Sequence, residues 1–116
     1  MTNFSNLPHE RLYAYQEARK LLLCVCEARI ADGKLRDQAM RAAQSICLNI
    51  AEGAGRSGPA DKARVYAIAR GETCEVVAAL EIALLTGGCA DGPARRGSVH
   101  AGAVYALLTG LMRRSC

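Results

Sequence analysis

The chain has 116 residues, 51% of them hydrophobic and 22% charged, with 15 Lys and Arg against 11 Asp and Glu for a formal net charge of +4. That balance is one globular domain with room for a single core, and a mild excess of bases permits nucleic-acid binding without demanding it. Alanine (21) and leucine (13) outnumber Val plus Ile (11), and there is no Trp and one Phe, a composition that favours closely packed helices and excludes a sandwich or barrel.

The first helix is predicted over about residues 8–31. Pro8 suits a first turn, and Ala14, Ala18, Leu21, Val25 and Ala28 recur at spacings of four and three, with Asp32-Gly33 as the stop. A second stripe of Tyr15, Leu22, Cys26 and Ile30 widens the apolar face, which calls for neighbours both in a bundle and across an oligomer contact. The second helix is predicted over 34–52, with Leu35, Ala39, Ala42, Ile46 and Ile50 inward and Gly53 as the residue that ends it. The third covers 59–86, capped by Ser57, with Val65, Ile68, Ala69, Val76, Ala79, Leu80 and Ala83 inward. Gly71 in its middle costs about 1 kcal/mol relative to Ala and reads as a close helix–helix approach. Cys89 to Arg96 reads as a loop around Asp91-Gly92-Pro93, and the fourth helix covers 98–114 with Val104, Leu107, Leu108 and Leu111 apolar. Arg113 and Arg114 suit the carbonyl end of that helix. Short connections between four helices imply one all-α domain, an antiparallel up-down-up-down four-helix bundle.

The opening residues Met1 to Pro8 lack the basic-then-apolar pattern of a signal peptide. Six cysteines (Cys24, Cys26, Cys47, Cys74, Cys89, Cys116) therefore read as reduced thiols of a cytoplasmic protein, several of them packing as small hydrophobes. The longest uncharged run, Gly97 to Met112, has 16 residues, short of the roughly 20 that span a membrane. Metal binding finds no motif: no C-x-x-C occurs, Cys24 and Cys26 lie about 200° apart around a helix, and neither His9 nor His100 belongs to Glu-x-x-His. Ser45 has Arg41 and Asn49 at helical spacing but no histidine to act as its base. A non-enzymatic protein with no cofactor is expected.

Gln38, Arg41, Ser45, Asn49 and Glu52 step by three, four, four and three, forming one polar stripe beside the apolar one. Flanked by alanines, it reads as a bundle-interior network in which a buried Arg41 needs Glu75 or Glu72 as partner. Such a network either fixes helix register alone or forms a ligand or partner site. The run Q-x-x-R-A-A-x-S-I-x-x-N-I-A-E-G from Gln38 to Gly53, followed by A-R-G-E-T-x-E from Ala69 to Glu75, resembles the small four-helix bundle proteins encoded in intervening sequences of large-subunit ribosomal RNA genes. The resemblance spans roughly His9 to Gly88, and the family pattern falls on Arg41, Ser45, Asn49, Glu52, Gly53, Gly71 and Glu75. This chain departs from it at Glu72, where the family tends to have Ser, and at Val77, where it has an acid. The resemblance implies a cyclic homopentamer. A relative, the accessory variability determinant of diversity-generating retroelements, is a basic pentameric barrel that binds nucleic acid and a reverse transcriptase.

Gly53-Ala54-Gly55-Arg56-Ser57-Gly58 spells G-x-G-x-x-G, but a helix precedes it where a dinucleotide site needs a strand. The plain reading is a flexible interhelical turn. Its backbone amides, the start of the third helix, Arg56, Lys62 and Arg64 could also hold a phosphate, with Arg95, Arg96, Arg113 and Arg114 adding a basic rim. The expected function is a non-enzymatic ring that binds RNA or DNA through these bases. The rival readings are a scaffold for a protein such as a reverse transcriptase, and a redox protein or enzyme using the cysteines.

Overall fold

Pro8 opens a short 3-10 turn, Pro8–Arg11, rather than the first α-helix, in a computed structural model that describes residues 4–115. Leu12 is extended, and α1 begins only at Tyr13 (Tyr13–Ala28). The N-terminal turn lies against α1 and α2, anchored by Glu10, which is buried with Arg19 at 3.8 Å as its neighbouring cation. Arg29 takes the left-handed conformation at φ 47° and ends α1 three residues before the predicted stop. Asp32-Gly33 instead starts α2 (Gly33–Gly55): the Asp32 carboxylate accepts the Leu35 amide at 2.8 Å, an N-cap that satisfies one of the helix's free donors.

Gly53 does not end α2, which runs on to Gly55. α3 (Pro59–Leu85) starts after Gly58 with no side-chain cap, so the expected Ser57 cap is not formed. α3 closes with Gly87 at φ 70°, where Gly88 donates to Ala83 O at 2.9 Å and Gly87 to Leu84 O at 3.2 Å, a Schellman closure that needs a residue tolerant of positive φ. The predicted loop 89–96 is mostly helix, because α4 (Asp91–Ser115) begins at Asp91. Pro93 is accommodated in its first turn, where an amide hydrogen has no helical acceptor to lose.

Each helix packs on its two chain-order neighbours, and α4 closes the square against α1, leaving α1–α3 and α2–α4 as diagonals. The predicted stripes fill the core: Ala14, Ala18, Leu21, Val25 and Ala28 from α1, Ala39, Ala42, Ile46 and Ile50 from α2, and Val104 and Leu108 from α4. Ile68 is the exception on α3, being 45% exposed rather than inward. Gly71 does not mediate close packing either, since nothing stands within 4 Å of the position its Cβ would take. That role falls to Gly53, whose Cβ would stand 2.7 Å from Tyr66 Cε1, and to Gly97, whose Cβ would stand 3.1 Å from Leu80 Cδ1 and 3.2 Å from Cys24 Cβ.

The four helices and short connections give the antiparallel bundle, measuring 43 × 27 × 20 Å, with no strand among the described residues. No helix among those residues is long and apolar enough to cross a membrane. Cys24 and Cys47 are buried, Cys26 and Cys74 exposed and Cys89 between, all as free thiols; Met1 to Asn3 and Cys116 lie outside the described residues.

Candidate nucleic-acid interface

The antiparallel course sorts the predicted basic residues to opposite ends. Arg56, Lys62 and Arg64 lie at the α2–α3 turn, and Arg113 and Arg114 at the same end on the last turn of α4. Arg95 and Arg96 stand near the start of α4, roughly 27 Å away along the axis at 1.5 Å per residue. The seven therefore do not form one rim.

Much of the turn cluster is engaged internally. Arg56 pairs with Glu52 and lies 3.3 Å from Asp61, which also takes a hydrogen bond from Arg64 at 2.8 Å. The Arg64 hydrogen bond holds the Asp61 carboxyl below its ordinary pKa. Lys62 Nζ donates to Gly53 O at 3.2 Å and Ala54 O at 2.8 Å, closing the carbonyl end of α2. Arg95 is engaged by Asp91 at 2.8 Å.

Arg11, Arg70, Arg113 and Arg114 at the turn end have no carboxylate within 4 Å among the described residues, as Arg29, Lys34, Arg36, Arg41 and Arg96 elsewhere have none. Arg11 and Arg70 are not among the basic residues the sequence pattern points to. Arg70 on α3 lies over the Tyr105 ring of α4, 5.2 Å from its centroid, and its Nη1 donates to Thr109 Oγ1 at 3.1 Å. With Arg113 and Met112 it lines an open pocket of about 460 Å³. Arg11 and Arg114 line a second opening of about 220 Å³ beside Leu12, Tyr13 and Leu111. Sequence spacing does not reveal Arg70, because its partners sit 35 to 39 residues away and meet it only across the α3–α4 seam.

The fold also concentrates charge. Contacts Gly53–Tyr66, Asn49–Glu72 and Arg70–Thr109 fix the helix register. In the part nearest the α2–α3 turn, residues 4–12, 49–71 and 106–115, seven cations (Arg11, Arg56, Lys62, Arg64, Arg70, Arg113, Arg114) meet three carboxylates (Glu10, Glu52, Asp61). The remaining eight cations are matched by eight carboxylates. Most of the excess thus sits toward one end of the bundle, three of the four charges when Glu72, the partner of Asn49 at the boundary, is counted with it. Along the sequence it is even: eight bases and six acids in residues 1–58, seven and five thereafter.

The polar stripe on α2 is not an interior network. Gln38, Arg41 and Glu52 are exposed, Ser45 and Asn49 half-buried, and Glu75 on α3 is exposed. Ala39, Ala42, Ala43, Ile46 and Ile50 take the core face and leave the stripe on the α2–α3 surface seam. No Arg41–Glu75 ion pair forms among the described residues. The ordered part is Asn49 Nδ2, which donates to Ser45 O at 3.0 Å, Ser45 Oγ at 3.1 Å and Glu72 Oε1 at 3.0 Å. Glu72, the departure from the resemblance pattern, is therefore the cross-helix partner. Gln38, Arg41, Ser45, Glu72 and Glu75 line a shallow pocket of about 340 Å³, and Gly53 and Gly71 flank the seam without lining it.

No group of three metal-ligating side chains occurs among the described residues. Burial pushes the Cys47 thiol up to about 11 and raises Cys24, so neither is a thiolate near neutral pH. The His100 ring sits 2.9 Å from Glu17 Oε2 across the α1–α4 seam.

These features define a class: a small helical bundle with one charge-balanced end and one cationic end. Over residues 10–109 the chain matches the 23S rRNA-intervening sequence protein family, and it belongs to that family. The match reaches most of α4, beyond the Gly88 limit of the resembling segment. No curated protein matches the chain.

Proposed function

We propose that the protein is a non-enzymatic, cytoplasmic subunit of a cyclic homopentamer that binds the phosphate backbone of RNA or DNA through its turn end. The observation that carries this reading is the concentration of positive charge toward the end holding the α2–α3 turn and the end of α4. Summed backbone attraction is sequence-independent and grows with the number of phosphates neutralised. A five-fold ring repeats the same patch five times at equal distance from its axis, which multiplies a modest local field.

The ring reading draws on apolar exposure. A ring closed by a heterologous contact uses two different patches on each subunit. Leu23 on α1 is 59% exposed, while α3 exposes Ile68, Ile82 and Leu85, and α1 and α3 are diagonal helices. Gly71, open on its outer side, lies on the exposed α3 stripe where another helix can approach. The same exposed residues favour a second reading, a scaffold that docks a protein partner such as a reverse transcriptase.

Fluorescence anisotropy of labelled RNA and DNA, single-stranded and duplex, across a salt series tests the first reading. A linear decline of log affinity with log salt is expected; no binding at low salt overturns it and leaves the scaffold. Light scattering with size exclusion is expected to show about five times the 12.3 kDa subunit, and a monomer overturns the ring.

A further inference from the structure

The α3–α4 seam carries two adjoining, mainly apolar cavities, the second of them flanked by two arginines. Toward the loop end is a mainly apolar groove of about 400 Å³ lined by Thr73, Cys74, Val77, Ala78, Gly102 and Tyr105, with the Glu81 carboxylate also in its lining. Toward the turn end is the carboxylate-free pocket formed by Arg70, Thr109, Met112 and Arg113. Tyr105 stands in the wall between them. Tyr105, Thr109 and Arg113 follow one another at four-residue steps, a single column on α4 with about 6 Å between successive members.

Arg70 is laid against that column and held in place. It stacks over Tyr105 and donates one N–H to Thr109 Oγ1, whose own hydroxyl donates to Tyr105 O at 2.9 Å. A guanidinium has five N–H donors, so most of those on Arg70 remain unused by protein acceptors. It is only partly exposed and has no carboxylate within 4 Å among the described residues. A guanidinium positioned in this way, beside a second at Arg113, is arranged for an anion supplied from outside.

We infer that this seam is a subsite for one unpaired nucleotide of a nucleic-acid strand, with its phosphate between Arg70 and Arg113 and its base against Tyr105 in the apolar groove. The inference rests on the nucleic-acid reading above and narrows it to one seam and to single strands. Charge and shape complementarity carry it: the ligand must be an anion at one end and a flat, weakly polar body at the other, and stacking on Tyr or Arg planes recognises unpaired bases. Duplexes keep their bases paired and stacked, so they can use only the cationic part.

The test titrates a labelled twelve-nucleotide single strand and its duplex against the full chain and against Arg70→Gln, Tyr105→Leu and Arg95→Gln. The wild type is expected to prefer the single strand. Arg70→Gln is expected to shallow the log–log salt slope by about 0.7 for single strands. Tyr105→Leu is expected to weaken single-strand binding by about tenfold, with slope and duplex affinity unchanged. Tyr105 is 42% exposed, so thermal melts of this variant should match the wild type. A thiouridine-bearing strand should photocross-link to the α4 peptide containing Tyr105.

Binding in which Arg95→Gln costs as much as Arg70→Gln, or in which Tyr105→Leu changes nothing, overturns the subsite while leaving the broader reading intact. Absence of oligonucleotide binding by the wild type overturns both. Capture by phosphatidylglycerol vesicles, with no oligonucleotide binding, reassigns the seam to a lipid phosphate and likewise overturns the proposal.

Discussion

The two ends of the bundle are built from the same residue types and use them differently. At the loop end, charge is balanced and the polar groups close the chain on itself. Asp32 caps α2 and Asp91 engages Arg95. The two connections are clipped together by Ala31 N to Gly88 O at 2.8 Å and Ala90 N to Ala28 O at 2.7 Å. At the turn end, Lys62 and Asp61 do comparable structural work, but Arg11, Arg70, Arg113 and Arg114 are left without carboxylates within 4 Å. A guanidinium gains more from a carboxylate or phosphate than from water when it is held rigidly. Arg29, Lys34, Arg36, Arg41 and Arg96 elsewhere also lack a carboxylate within 4 Å among the described residues. The ends therefore differ in net charge and in the anchored Arg70 rather than in ion pairing, and the proposed anion contact rests on that difference.

The sharpest way to break this contrast is charge reversal at each end. Arg113→Glu with Arg114→Glu is expected to weaken oligonucleotide binding at low salt on the order of a hundredfold, whereas Arg95→Glu with Arg96→Glu should change it less than about threefold. Equal losses in anisotropy titrations would erase the functional difference between the ends.

Stability measurements probe the structural half of the contrast. Between the ends, Cys47 has an ordinary thiol pKa of 9.0 in the unfolded chain and about 11 when folded. Its burial contribution is present below pH 9 and is lost as pH rises toward 11, a decline of about 2–3 kcal/mol. Urea melts across that window should show it, and Cys47→Ala should flatten it. Buried Tyr66 and part-buried Tyr15 have raised pKa values too, through desolvation first, and leave a smaller residual slope.

Gly53→Ala drives a methyl into the Tyr66 ring at 2.7 Å and should cost about 2 kcal/mol, overpacking less a small helix-propensity gain. Gly97→Ala at the loop end, with its nearest contact at 3.1 Å, should cost about half as much in the same melts. Asp32→Ala removes the α2 cap and should cost about 1 kcal/mol without altering oligonucleotide affinity. Smallest of all is Arg41→Ala, expected within about 0.5 kcal/mol because Arg41 is exposed and unpaired; a loss near 3 kcal/mol would restore the buried-pair reading.

The sequence by itself determined the helix count, the core stripes of α1, α2 and α4, and the family, because helical periodicity and the run from Gln38 to Gly53 are local signals. Its errors are local conflicts won by packing or backbone chemistry. Asp91-Gly92-Pro93 carries loop composition, yet a first helical turn tolerates proline, so α4 starts there. Gly71 and Gly53 look alike along the chain, but only Gly53 faces an aromatic ring. The α2 stripe is polar and flanked by alanines wherever it points; the neighbouring alanine and isoleucine face wins the core because burying apolar surface costs less than burying an arginine. Which cations end up without partners is a tertiary matter. Arg70, Tyr105 and Thr109 acquire their meaning from two antiparallel helices sliding into one register, and a charge excess spread evenly along the chain gathers mostly toward one end of a bundle only when the chain folds back on itself.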